Sequence, residues 1–142
     1  MWVGIRPARR VEMISVPGVA AHADRGLEGD RYSNKGGSRQ VTLIQHEHLL
    51  IVAAFLGLPE LDPSLVRRNL VISGINVLAL KGMSFKIGEV VFQYSGECHP
   101  CSRMEENLGV GGYNAMRGHG GITARVIESG TIKVGDFVCP IF

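Results

Sequence analysis

The sequence predicts a mainly β protein, a closed or nearly closed β-barrel that carries two or three short helices. Apolar or β-branched residues recur in short runs, many with a period of two, and each run is bounded by Gly, Pro, Asn or Asp. Glycine is abundant, 19 of 142 residues, and its spread along the chain indicates many turns. Helical patterns are few, and the regular alternation of strands and helices typical of a parallel α/β fold is not visible.

The predicted strands account for most of the chain. In order, they are WVGIR, VEMISV, RQVTLIQ, NLVISGINV, SFKIG, EVVFQYS, ITARVIE and FVCPIF. SFKIG and EVVFQYS are predicted to form a hairpin that turns at Gly88. The segment ITARVIESGTIKVGDFVCPIF is predicted to form a closing meander, with turns at Ser129-Gly130 and Gly135-Asp136.

Three segments have helical signals. HEHLLIVAAFLG is apolar on nearly all sides, which predicts a buried helix that Gly57 ends. DPSLVRR predicts a short turn, with Asp62 as its cap and Pro63 in the first helical position. PCSRMEENLG predicts a helix that Pro100 opens and Gly109 ends. The glycine-rich GVGGYNAMRGHGG that follows is predicted to be a long functional loop.

Length and composition limit the class of protein. A chain of 142 residues is long enough for one domain, residues 1–142, and too short for two. The apolar fraction of 45% argues against disorder, and the longest apolar run, Leu49 to Leu56, is far too short to span a membrane. The net charge of +2 does not by itself indicate nucleic acid. With no secretory signal and three cysteines, we expect a cytoplasmic protein without a disulfide framework.

The stretch SGECHPCSRMEENLG places Cys98 and Cys101 two residues apart, a spacing that several chemistries use. A redox dithiol of the thioredoxin type should follow the first strand of a βαβ unit, whereas this pair lies late in a β-rich chain. A structural zinc site needs four ligands, usually from two such pairs. The remaining thiol, Cys139, lies in an apolar terminal run where we expect a buried cysteine.

The third possibility needs one thiolate, and Cys101 is the candidate. It lies in the first turn of a predicted helix, just after Pro100, where backbone N–H groups are free and the helix dipole favours negative charge. Arg103 is close in sequence and would also favour the thiolate. A thiolate is a soft metal ligand and a good acceptor of sulfur. A plain buried cysteine is the structural alternative.

Two basic segments suggest an anionic ligand. DRYSNKGGSRQVTLI places Lys35, two glycines and Arg39 in a loop before a strand, where backbone N–H groups and a guanidinium can approach phosphate. VRRNLVISG places Arg67 and Asn69 on one face of an extended segment, with Arg68 pointing the other way, because side chains alternate along a strand. Solvated arginines are the alternative interpretation, as they are for the cluster RPARR near the N-terminus.

Taken together, the segments of this chain resemble the MOSC family, which is named after the C-terminal domain of molybdenum cofactor sulfurase. The matching segments are GLEGDR, RQVTLIQHE, RRNLVISGI, LKGMSFKIGEVVF with GECHPCSRME, and AMRGHGGITARV with a later VGD. They run from Gly26 to Asp136, nearly the whole chain, and their combination is specific although no single segment is. The resemblance implies the MOSC β-barrel.

The resemblance also implies a site. The family has one characteristic cysteine, within a Pro-Cys pair in its small bacterial members, and here that residue is Cys101. It is taken to ligate the molybdenum of a pyranopterin cofactor or to carry sulfur for it, which would make it both the metal ligand and the catalytic residue. The resemblance implies cofactor-binding roles for Lys35, Arg39, Arg67, Asn69 and Arg125. Cys98 does not match a family position, and its role stays open.

The activity that the resemblance implies is that of an oxidoreductase. It would reduce N-hydroxylated or similar small substrates at cysteine-ligated molybdenum, with electrons from redox partner proteins. The alternative is a sulfur carrier or cofactor-delivery protein that takes sulfur from a donor onto Cys101 and has no turnover of its own. The sequence has no counterpart of the N-terminal extension or the desulfurase domain of larger members, so we expect the chain to receive its sulfur or cofactor. We expect no nucleic acid and no membrane among its partners.

Overall fold

The computed structural model describes residues 1–32 and 34–142. The strands are β1 (Trp2–Ile5), β2 (Ile14–Ser15), β3 (Gly18–His22), β4 (Gly26–Leu27), β5 (Val41–Gln45), β6 (Leu70–Ile72), β7 (Ser84–Ile87), β8 (Val90–Glu97), β9 (Ile122–Glu128), β10 (Gly130–Lys133) and β11 (Val138–Ile141). The α-helices are α1 (His46–Phe55), α2 (Ser102–Leu108) and α3 (Gly112–Met116), and 3₁₀ helices span Pro63–Val66 and Val77–Leu80. The prediction of a mainly β protein with a few short helices is confirmed. Within the described ranges, every helix is too short or too polar to cross a membrane.

Eight of the strands form one mixed sheet in the order β11-β7-β8-β9-β5-β6-β1-β2. β5 and β6 run parallel, with Leu43 opposite Leu70, while the other neighbours are antiparallel. β7 and β8 form the predicted hairpin, and Gly88 takes the positive φ of 56° that its turn requires. β3, β4 and β10 form a separate three-stranded sheet.

The predicted barrel is not supported, because neither sheet closes on itself within the described residues. β11 and β2 lie at the two ends of the larger sheet. The prediction of a closing meander is also wrong, because β10 pairs with β3 and β11 pairs with β7. A period of two identifies a strand but leaves its partner open, because pairing depends on packing between distant segments.

The core has two parts on opposite faces of the sheet. Leu43 and Leu70 belong to a large cluster on one face, which includes the stacked rings of Phe85 and Phe92 at 5.4 Å. Their chain neighbours Ile44 and Val71 face the other way, because side chains alternate along a strand. There they pack against the helices, through Leu49, Val52, Met104 and Met116. Each such buried side chain contributes about 1.5–3 kcal/mol, so the helices are held on β5 and β6 by this second cluster.

The prediction that α1 is buried on all sides is wrong. Leu49 and Val52 face the sheet, whereas Leu50 and Phe55 are 50% and 65% exposed. An apolar sequence indicates that a helix can be buried but does not say how many neighbours cover it. Gly57 follows the helix end with a positive φ of 70°, as predicted.

The segment around the cysteine pair also differs in detail from the prediction. α2 begins at Ser102, and Cys101 is the extended residue before it, with φ −123° and ψ 178°. The glycine-rich segment is not one long loop, since it contains α3. A Cβ at Gly112 would come within 2.7 Å of the Cβ of Leu108. Glycine is needed there so that α2 and α3 can approach closely, and sequence alone does not separate that role from loop flexibility.

Candidate functional site

A cavity of about 250 Å³ brings Cys101 together with basic residues from several parts of the chain. Its lining consists of Arg6, Arg9, Arg31, Tyr32, Arg39, Arg67, Arg68, Cys101, Arg103 and Met104. Seven of these ten residues are arginines, and none is acidic. The cavity is therefore strongly cationic and suits a ligand that carries negative charge.

Sheet register explains why distant arginines meet. Arg39 precedes β5 and Arg67 precedes the parallel strand β6, while Arg6 follows β1, which is antiparallel to β6. All three residues therefore lie at the same edge of the sheet. The Nδ2 of Asn107 on α2 donates to the carbonyl of Leu65 at 3.0 Å. That bond holds the last turn of α2 beside the 3₁₀ helix that leads into Arg67, and Arg103 and Met104 at the start of α2 line the cavity.

Three guanidinium groups lie around the ring of Tyr32. The Cζ atoms of Arg6, Arg31 and Arg39 lie 4.5, 4.4 and 5.1 Å from the ring centroid. Cation–π attraction to one ring offsets part of the repulsion between these charges and limits their movement. The backbone N–H of Tyr32 donates to Asp30 at 3.2 Å, which fixes the start of this loop.

Asn69 lies in a buried polar network and not on the cavity wall. Arg6 pairs with Asp30 at 3.1 Å and donates from Nη2 to the Oδ1 of Asn69 at 2.7 Å. Asn69 also donates to Asp30 at 3.1 Å and accepts from the backbone N–H of Thr42 at 3.0 Å. Its exposed fraction is zero. The structure therefore does not place Asn69 beside Arg67 on one exposed face.

The predicted alternation fails at Arg67, which adopts a left-handed conformation with φ 57° and ψ 35° after the 3₁₀ helix. Arg68 consequently also reaches the cavity lining, although it was predicted to point away. Arg68 is buried and donates to the carbonyl oxygens of Gly120 at 2.8 Å, Val66 at 2.9 Å and Cys98 at 3.3 Å. Its role is to hold the cysteine segment and the loop before β9 against β6.

Two cavity arginines carry buried nitrogen atoms that have no hydrogen-bond partner among the described residues, the Nε of Arg39 and the Nη2 of Arg67. Burial lowers the pKa of Arg67, and the charges of Arg6 and Arg103 lower it further. A buried N–H group without a partner is unfavourable, and so is unbalanced positive charge. An anion in the cavity would relieve both.

Lys35 and Arg125 are exposed and lie outside the described lining of this cavity. Arg125 projects from β9, where it is paired with Gln93 of β8. Of the predicted site residues, the structure thus brings together Cys101, Arg39 and Arg67. The cofactor roles of Lys35, Asn69 and Arg125 stay predictions.

The three cysteines differ in environment. Cys98 is 2% exposed, whereas Cys101 is exposed beside the arginines. Cys139 is exposed on β11, so the prediction that it is buried is wrong. In the described ranges, no group of three or more His, Cys, Asp or Glu side chains is arranged to hold a metal ion, which leaves the four-ligand zinc interpretation without support.

The loop before β9 supports the cysteine segment through its glycines. The N–H of Cys98 donates to the carbonyl of Gly121 at 2.9 Å. A Cβ at Gly120 would collide with the carbonyl oxygen of Cys98, and one at Gly121 would collide with that of Leu43. Glycine is therefore required at both positions for this close backbone packing.

Comparison with known proteins supports the sequence resemblance. The MOSC domain family matches residues 29–139, most of the chain. This chain belongs to the MOSC domain family. The family is associated with molybdenum cofactor binding. No curated protein matches the sequence.

Solved structures share the MOSC fold with this chain. The YuaD protein from Bacillus subtilis has a TM-score of 0.83 and 19% identity, over 99% of this chain and 98% of that one. YiiM from Escherichia coli has a TM-score of 0.73 and 22% identity, over 100% of this chain and 70% of that one. YiiM from Geobacillus stearothermophilus has a TM-score of 0.75 and 17% identity, over 99% of this chain and 73% of that one. At these identities the likeness concerns the fold.

The residues of the cavity fit a molybdenum cofactor. Its metal needs a soft donor, which the exposed thiol of Cys101 provides. An anionic cofactor needs hydrogen-bond donors, which the unpartnered nitrogens of Arg39 and Arg67 provide. Sequence reasoning missed Arg6, Arg9, Arg31, Tyr32 and Arg68 as lining residues. The available signals were the basic segments RPARR, DRYSNKGGSRQVTLI and VRRNLVISG, which contain these residues, but sequence does not distinguish solvated from ligand-binding arginines.

Proposed function

We propose that this MOSC protein binds a molybdenum pyranopterin cofactor in the arginine-lined cavity, with Cys101 as the metal ligand, and acts as an oxidoreductase. Its substrates would be N-hydroxylated or similar small molecules. The observation that carries the proposal is the meeting, in one cavity, of an exposed thiol and seven guanidinium groups. Two of those guanidinium groups have buried N–H donors that an anion would satisfy.

Each side chain has a distinct proposed role. The Sγ of Cys101 holds the metal, and Arg39 and Arg67 donate to the anionic end of the cofactor. Tyr32 orients the guanidinium groups that surround it. Asn69 acts at a distance, because it fixes Arg6 within the buried network. When bound, the cofactor supplies a metal centre that exchanges electrons with small substrates, and the protein supplies binding, orientation and charge. Electrons would come from redox partner proteins in the cytoplasm.

Molybdenum analysis tests this proposal. Protein produced in cells with an intact cofactor pathway is expected to contain nearly stoichiometric molybdenum, and Cys101→Ser is expected to lose it. Cys139→Ser is the matched control, because Cys139 is also an exposed thiol but lies on β11, outside the cavity lining. Absence of molybdenum from all three proteins would refute cofactor binding.

An activity measurement tests the reaction separately. The loaded protein, supplied with a chemical electron donor, is expected to reduce an N-hydroxylated compound to the corresponding amine. Loaded protein without such turnover would leave cofactor binding intact and overturn the oxidoreductase proposal.

A sulfur-carrier role is the second candidate, and the exposure of Cys101 favours it. A persulfide on another protein can reach the sulfur of Cys101. The Cys101 thiolate would attack the terminal sulfur of that persulfide, and the donor's thiolate would leave. Intact-mass measurement after treatment with a persulfide donor separates the candidates. A gain of one sulfur atom in wild type and Cys139→Ser, but not in Cys101→Ser, together with an absence of molybdenum, supports carriage.

A further inference from the structure

We propose that a second anion-binding subsite, specific for a phosphate group, lies next to the Cys101 cavity and is formed by Arg10, Arg67 and Arg103. A separate cavity of about 150 Å³ is lined by these three arginines with Glu106 and Asn107. Arg67 and Arg103 belong to the walls of both cavities, whereas Arg10 lines this second cavity and lies outside the described lining of the Cys101 cavity. The subsite adds to the proposed function but does not depend on bound molybdenum.

The walls of this second cavity are tied together by hydrogen bonds. The Nη1 of Arg67 donates to the carbonyl of Val11 at 2.7 Å, which fixes the loop that carries Arg10. Asn107 is bonded to Leu65 at 3.0 Å, which fixes α2 against the 3₁₀ helix. The three arginines are therefore presented from three segments that are linked to one another.

Charge balance is the observation that points to a ligand. Three guanidinium groups face one carboxylate, that of the exposed Glu106. Arg67 lines both cavities, and its buried Nη2 has no partner within residues 1–32 and 34–142. A guanidinium donates bidentate bonds to phosphate oxygens, so a phosphate on the Arg10 side would accept from Arg10 and Arg103, beside Arg67, and reduce the cationic excess.

The backbone supports the same location. Among described residues other than glycine, positive φ values occur at Arg10, Asp24 and Arg67, and two of these three line the second cavity. This conformation is unfavourable for a residue with a Cβ, and such residues are concentrated at functional sites. A neighbouring cavity of about 380 Å³ shares Arg10 and Arg67 and is also lined by Glu12, Met13, Asp62 and Leu65. It leaves room for the organic part of a phosphate ester, whose polar groups could donate to the two carboxylates.

The phosphate group has two possible sources, with the same chemistry. It belongs either to a longer ligand that also fills the Cys101 cavity, or to a separate phosphorylated molecule. In the first case the loaded protein has both sites occupied by one molecule. In the second case the Arg10 site stays open after loading.

A nuclear magnetic resonance titration with inorganic phosphate tests the subsite in protein prepared without cofactor. The Nε–H signal of Arg10 and the side-chain amide of Asn107 are expected to shift and saturate. Arg10→Asn removes the charge with a residue that tolerates the left-handed conformation, and it is expected to weaken phosphate binding at Asn107 about tenfold. Glu106→Gln is expected to tighten it severalfold, while Lys86→Gln, at an exposed cation on β7, is expected to leave it unchanged.

Signals that do not respond to phosphate in wild type, or an unchanged dissociation constant in Arg10→Asn, would overturn the subsite. Repeating the titration on loaded protein identifies the source. A continued response means a separate ligand, and signals already at their phosphate-saturated positions mean a longer one. Molybdenum content is an independent measurement, so failure of the subsite and failure of cofactor binding are distinguishable.

Discussion

Two groups of arginines lie side by side in this molecule and differ in how their charge is balanced. Arg6 is buried, and its N–H groups donate to Asp30, to Asn69 and to the carbonyl of Arg67. Arg39 and Arg67 also line the cavity, and each has a buried nitrogen without a partner in the described part of the chain. Arg6 is thus satisfied by the protein itself, whereas Arg39 and Arg67 are not.

This difference separates a structural arginine from one that awaits a ligand. Both kinds are near Cys101, and both are partly or fully buried, so neither proximity nor burial distinguishes them. The hydrogen bonds that each guanidinium lacks do distinguish them, because buried donors are normally paired. Changes in the two groups should therefore affect different properties, stability for the first and ligand binding for the second.

The largest expected effect comes from Asp30→Asn, which leaves the charge of Arg6 buried without a counter-ion. Removing one partner of a buried ion pair typically costs about 3–5 kcal/mol in the free energy of unfolding. Urea unfolding of cofactor-free protein measures it. The double replacement Arg6→Met with Asp30→Leu should lose less than the sum of the single losses, because no buried charge then remains. A loss below about 1 kcal/mol for Asp30→Asn would mean that Arg6 is not held as described.

A smaller effect is expected for Arg39→Gln, and it should concern cofactor binding and not the stability of the fold. Its side chain has an unpartnered Nε and belongs to the cationic group around Tyr32, so the change should leave stability within about 0.5 kcal/mol of wild type. Loss of a charged hydrogen bond to the cofactor should weaken retention about tenfold.

Cofactor retention during dialysis of the loaded protein, together with urea unfolding of cofactor-free protein, checks the Arg39→Gln prediction. Lys86→Gln is the control, since Lys86 is an exposed cation on β7, outside the described lining. Equal retention in both variants would contradict the distinction between satisfied and unsatisfied arginines.

The smallest effect concerns His48 on α1, outside the cavity lining, whose buried Nδ1 also has no partner among the residues that the structure describes. Its ring is 5.2 Å from that of His119. Burial lowers the pKa of His48 below 6.5, and the charge of His119 lowers it further, while Glu47 acts in the opposite direction. At a histidine with a lowered pKa, the unpartnered nitrogen predicts that the stability of the fold depends on pH. It does not predict an anion site.

The sign of the His48 effect follows from the lowered pKa. As the pH decreases below 6.5, His48 takes up a proton in the unfolded chain before it does so in the folded chain, where its pKa is lower. The stability that this residue contributes therefore decreases as the pH decreases, until the pH is below the pKa of His48 in the folded protein. The free energy of unfolding should therefore decrease less in His48→Gln than in wild type between neutral pH and acid. His99→Gln, at an exposed histidine, is the control. Identical pH profiles for wild type and His48→Gln would contradict this account.

Much of the fold was predictable from local patterns, and the parts that were not depend on contacts between distant segments. The hairpin of β7 and β8 is confirmed because its strands and its turn at Gly88 are adjacent in sequence. The partner of β10 is β3, more than a hundred residues earlier, and no local signal identifies it. The same reason accounts for the incorrect barrel closure.

The candidate site was predictable where a residue's chemistry depends on its own neighbours in sequence. Cys101 was selected by its position at a helix start and by the family resemblance, and the structure places it among arginines. The roles of Arg68 and Asn69 could not be predicted, because the left-handed backbone at Arg67 interrupts the alternation of the strand. Asn69 was then found to satisfy Arg6, a partner 63 residues away.

X-ray absorption at the molybdenum edge tests the central claim, that Cys101 is the metal ligand, most directly. Replacing Cys101 with selenocysteine keeps a soft donor at the same position and marks it with a heavier atom. The loaded protein is expected to show selenium in the first shell of molybdenum, and the same replacement at Cys139 is expected to show none. Full molybdenum loading without a selenium neighbour at position 101 would contradict the account.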